Sequence, residues 1–179
     1  MRAGPRPVSN KSVAIPRDGE VDDTRPMALQ QSLLLIHLLA AAVWIGGMAT
    51  MLFAVRPALP LVEAPPQRVA FMAAAFTRLF ALVAIAIVLL FASGLGLVAG
   101  AGGWAAAHWS VHAMATLALV MAGVFVVIRY GPFAALRRAV AAAQWPAGAA
   151  CLGRIRVLVA VNLALGVAVF AVATVGRTF

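Results

Sequence analysis

The chain has 179 residues, 64% of them hydrophobic and 11% charged, with a mean hydropathy of +1.01 and a formal net charge of +9. Globular domains run at about 45–50% apolar and about 25% charged, so this composition excludes an ordinary water-soluble fold and predicts an all-α integral membrane four-helix bundle. The lone Cys151 excludes an intrachain disulfide and a cysteine metal cluster, and the bases sit at helix ends and in short loops, so no nucleic-acid partner is expected.

Residues 1–26 hold five basic residues, four acidic residues and four prolines, which predicts a disordered tail, with Met27 as an alternative start. Residues 27–179 are then the membrane domain. Asp, Glu, Lys and Arg are missing from 27–55, from 79–128 and from 157–176, and about 20 apolar residues cross the hydrocarbon. The middle stretch breaks at Gly100-Ala-Gly-Gly103 and so holds two spans. Four spans follow, at 29–55, 79–99, 109–128 and 157–175.

The first span carries His37, an ionisable ring in an uncharged run. Residues 7, 11 and 14 positions apart return to nearly one helix face, so His37, Trp44, Met48 and Met51 form a stripe. A buried ionisable side chain in a bilayer marks a functional site by default. The span ends at Arg56-Pro57, and Pro66 opens a helical run-up through residues 69–77 to Arg78. In the second span, Gly96-Leu-Val-Ala-Gly100 has the spacing that brings helices close, although these glycines equally suit a helix end.

His108-Trp109 marks the membrane interface before the third span, which carries His112, Thr116, Leu119 and Gly123 on one face. Met114 and Met121 fall on the opposite side, and Gly123 would leave a groove below His112. The loop from Arg129 to Arg156 holds five arginines and no acid, and residues 133–144 read as a basic amphipathic helix on an anionic leaflet, broken at Trp145-Pro146. The fourth span has one strongly polar side chain, Asn162, expected to bond another helix.

The first and third connections hold eight arginines and the second holds none, so the positive-inside rule puts those two in the cytoplasm and both termini outside. His37 and His112 then lie in the outer half, roughly 12 Å and 5 Å deep at 1.5 Å per residue. Two imidazoles on different spans suit copper, with Met48 as a soft thioether donor, or haem b, in a cleft lined by Trp44 and Gly123. The bland alternative is that each histidine only bonds a neighbouring helix.

The run His37-Leu-Leu-Ala-Ala-Ala-Val-Trp44-Ile-Gly46-Gly47 followed by Arg56-Pro57 resembles the first span of the copper-resistance D (CopD) family of bacterial inner-membrane proteins. Phe76-Thr-Arg78-Leu-Phe and Ser93-Gly94-Leu-Gly96 resemble its next span, and Arg154-Ile-Arg156-Val-Leu-Val-Ala-Val-Asn162-Leu-Ala-Leu-Gly166 its closing span. The similarity covers residues 33–175 and implies copper uptake or homeostasis at the bacterial inner membrane. The chain also resembles HemJ-type oxidases and b-type cytochromes, in which a first-span histidine akin to His37 binds haem. Those oxidases carry a lysine early in the third span, where this chain has His112. The expected partners are the bilayer and a quinone or a periplasmic metal or redox partner. Oligomerisation, and a role as a non-catalytic assembly subunit, stay open.

Overall fold

The computed structural model describes the backbone of residues 24–176 and the side chains of 27–176. Most of the tail expected at residues 1–26 therefore lies outside the described residues. Helix α1 (Thr24–Thr50) runs into a π-helical turn (Met51–Val55), a further helical turn (Arg56–Ala58) and a 3-10 turn (Leu59–Leu61). Helix α2 (Pro65–Gly100) is followed by a 3-10 turn (Trp104–Ala106), α3 (Trp109–Tyr130), α4 (Pro132–Ala141) and α5 (Trp145–Val175). Four stretches are long and apolar enough to cross a membrane: Met27–Leu61, Pro65–Gly100, Trp109–Ala141 and Trp145–Val175. The chain is an all-α, multi-pass membrane bundle.

The helices outrun the charge-free stretches that announced them. The second includes the run-up expected from Pro66 and is continuous from Pro65 to Gly100, and the last begins at Trp145 rather than 157. Arginine is a good helix former, so Arg68, Arg78, Arg154 and Arg156 end the apolar stretch without ending the helix. What starts these helices is proline in the first turn, at Pro65-Pro66 and again at Pro146. Trp145-Pro146 thus opens α5 as well as closing the connection before it. The π-turn also has a local cause. Pro57 has no N–H to give the carbonyl four residues back, and its ring crowds that carbonyl. The chain answers with a wider turn, in which the Arg56 N–H reaches the Met51 carbonyl.

The main packed pairs are α1 with α2, and α3 with α5. Glycines set the closeness of the first pair: a Cβ at Gly96 would stand 2.9 Å from Leu33 Cδ1, and one at Gly47 2.6 Å from Leu79 Cδ1. The Gln30 side-chain amide donates to the Gly100 carbonyl at 3.2 Å. The small-residue spacing therefore serves close approach, while Gly102 and Gly103, at φ +95° and +85°, make the turn that leaves α2.

The amphipathic α4 departs from expectation. Its apolar face packs on protein rather than on a lipid surface: Phe133, Leu136 and Ala139 are buried, and the Phe133 ring meets Phe80 of α2 edge-on at 4.8 Å. Arg137 and Arg138 point outward. The buried core gathers Trp44, Met48, Met72, Phe76, Phe80, Met121, Ile128 and Ile155. Leu35, Val88, Leu119 and Val167 are exposed, one on each spanning helix, as side chains facing acyl chains should be.

Candidate histidine site

His37 lies in α1 facing α2, half-buried, with its Nδ1 3.1 Å from the Leu90 carbonyl and 3.1 Å from Ser93 Oγ. A carbonyl only accepts, so this geometry puts the ring proton on Nδ1. Ser93 agrees: its hydroxyl donates to the Leu89 carbonyl at 2.6 Å, leaving its oxygen free to accept from the ring. The proton on Nδ1 leaves the lone pair on Nε2, which has no hydrogen-bond partner among the described residues. Ligating histidines are oriented in this way, with the second ring nitrogen donating to a carbonyl. Gly94 makes room for the ring, since a Cβ there would stand 3.2 Å from His37 Cε1.

His112 has other surroundings. It is exposed in the first turn of α3, with its ring centroid 5.6 Å from that of Trp104 and tilted by 41°. His108 caps α3, its Nδ1 accepting from the Ser110 N–H at 3.4 Å and lying 3.0 Å from Ser110 Oγ. Gly123 is exposed, and a Cβ there would meet nothing within 4 Å, so it opens on the outer surface of α3 rather than on a cleft toward α1.

The expected stripe is real on α1, but its members serve different neighbours. Trp44 and Met48 are buried in the core, and the Met48 sulfur accepts from Asn162 Nδ2 at 3.6 Å. Met48 stands eleven residues from His37, about 16 Å along the helix, so the two do not meet at one ion. Asn162 joins two helices as expected, yet its Oδ1 is buried without a hydrogen-bond partner.

Met48 therefore does not join His37 at one ion, and the two imidazoles have different neighbours, Leu90 and Ser93 for His37 and Trp104 for His112. Further along the bundle α5 meets both histidine-bearing helices: a Cβ on its Gly166 would stand 3.0 Å from Ile45 of α1 and 3.3 Å from Met121 of α3. Among the described residues there is no group of three or more His, Cys, Asp or Glu placed to hold a metal ion. Comparison with known protein families, curated proteins and solved structures finds no match to this chain.

A bare copper ion must take its donors from protein side chains, and Met48 is too far along α1 from His37 to share one with it. Haem iron already has four porphyrin nitrogens and asks the protein for only one or two axial donors. The residues present fit that demand at a single point, His37 Nε2. Sequence reading missed Ser93 and Leu90 as the groups that orient this ring. The available signal was Ser93 itself, one of few hydroxyls in the second span.

Proposed function

We propose that this chain is a b-type haem-binding membrane protein in which His37 Nε2 supplies an axial ligand, serving electron transfer between a membrane quinone and a periplasmic redox partner. The observation that carries the reading is the Nδ1 contact with the Leu90 carbonyl, which fixes the tautomer a ligand needs. Haem would supply the one-electron chemistry. The chain supplies orientation of the ring through Leu90 and Ser93 and room for the imidazole through Gly94. The setting is the bacterial inner membrane, with both termini on the periplasmic side and the arginine-rich connections in the cytoplasm.

An absorbance spectrum of the purified full chain tests this. We expect Soret and α-bands that sharpen with dithionite, and their loss in His37→Ala with helical content unchanged. Haem bands that survive intact in His37→Ala would overturn the ligand assignment. Stoichiometric copper without such bands would support copper handling of the CopD type instead, and neither cofactor would support an assembly subunit.

A further inference from the structure

At the arginine-rich end of the bundle, the turns that follow α1 (Met51–Leu61), the start of α2 and the first half of α5 line an open cavity of about 450 Å³. That size falls within the ~300–1,000 Å³ usual for small-molecule sites. Its wall is mostly apolar, with Met72, Phe76 and Val159 among the lining residues, and it also carries Arg56, Arg68 and Arg156 but no acid. Arg68 is committed to the chain itself: its Nε donates to the Val62 carbonyl at 2.6 Å, and its Nη2 reaches the carbonyls of Pro60 and Glu63 at 3.4 Å. Arg56 is not. Its Nη1 is buried and has no hydrogen-bond partner, and the charge on Arg156 acts on it repulsively.

A buried guanidinium nitrogen with no acceptor, beside a second cation, is unfavourable unless an anion joins it. The only acid among the described residues is Glu63, and it does not line the cavity. An anion from outside the described residues would supply the acceptor that Arg56 Nη1 lacks. Two guanidiniums select a phosphate, which they bind through paired N–H donors. The apolar wall selects a phosphate attached to a hydrocarbon. Trp145, at the rim of α5, belongs to the residue type that settles at headgroup level. We propose that this cavity is a binding site for one anionic phospholipid, its phosphate between Arg56 and Arg156 and the first part of its chain over Met72, Phe76 and Val159. The site does not depend on the haem reading, which concerns the opposite half of α1.

Native mass spectrometry of the full chain, released from micelles doped with either phosphatidylglycerol or phosphatidylcholine of matched chains, tests the proposal. One phosphatidylglycerol per chain should be retained about tenfold more strongly than phosphatidylcholine. The double variant Arg56→Gln with Arg156→Gln should lose that preference. Gly153→Leu keeps both arginines but places a side chain where a Cβ has nothing within 4 Å, on the wall of the cavity, and should reduce retention of phosphatidylglycerol. If the double variant does not fold, the wild-type preference and Gly153→Leu decide. Equal retention of the two lipids overturns the proposal, as does unchanged phosphatidylglycerol retention in Gly153→Leu or in the folded double variant. Full displacement by millimolar inorganic phosphate also overturns it and assigns the arginines to free phosphate.

Discussion

Asn162 shows at the scale of one residue what the bilayer does to a polar side chain. Its amide nitrogen has only a sulfur to donate to, and its oxygen has no hydrogen-bond partner although the residue is 1% exposed. An unsatisfied buried acceptor costs about 1–3 kcal/mol, whereas replacing it with an apolar group of similar shape removes that penalty. We expect Asn162→Leu to stabilise the protein by about 1 kcal/mol, read as a rise in the thermal unfolding midpoint in detergent; a fall in that midpoint would show that the Met48 contact dominates. His37 is the opposite case. Its Nδ1 is satisfied twice over, and only Nε2 is left to act.

Among the helices, α5 organises the bundle. Gly166 is buried where α5 is squeezed between Ile45 of α1 and Met121 of α3. Overpacking a fitted interior costs typically about 1–3 kcal/mol, so Gly166→Leu should destabilise by that amount. Thermal unfolding of the purified variant checks it, and an unchanged midpoint would mean that α1 and α3 are not held against α5 there. The same packing explains what could and could not be read from the sequence. Hydropathy located all four spans because each must expose apolar side chains to lipid along its whole length. That same uniformity hid the partners: a helix apolar all round gives no sign of which face meets which neighbour. The Gly96 spacing offered close approach as one of two equal readings because a missing side chain is a local fact, and the contact with Leu33 decides for it. The neighbours of His37 were not legible, because they depend on which helix packs on which face of α1. Arg154 and Arg156 misled about the start of α5, since they mark where the hydrocarbon stops and the helix ignores that boundary.

For the molecule as a whole, charge is distributed by end. Arg56, Arg68, Arg78, Arg129, Arg137, Arg138, Arg154 and Arg156 belong to the first and third connections or the helix ends beside them, and the turn from Gly100 to Ala107 has no charge. Crossing in the reverse sense would place this cluster on the translocated side, which the insertion machinery disfavours. We expect a cysteine introduced by Arg137→Cys in a Cys151→Ala background to be labelled only by reagents reaching the cytoplasmic face. Labelling of intact cells by a membrane-impermeant maleimide would reverse the orientation. The two regions singled out above belong to opposite ends of the bundle: an imidazole toward one and paired guanidiniums toward the other.

The π-turn at Met51–Val55 separates these two regions within a single helix. It inserts a surplus residue between Trp44, whose bearing is fixed by the core, and Arg56, whose bearing faces the cavity. A regular helix advances about 100° per residue, so trimming one position here would swing the charged tip around the axis while leaving the tryptophan where it stands. The helix is therefore out of phase with itself by design of its proline, and its two ends can be aimed independently.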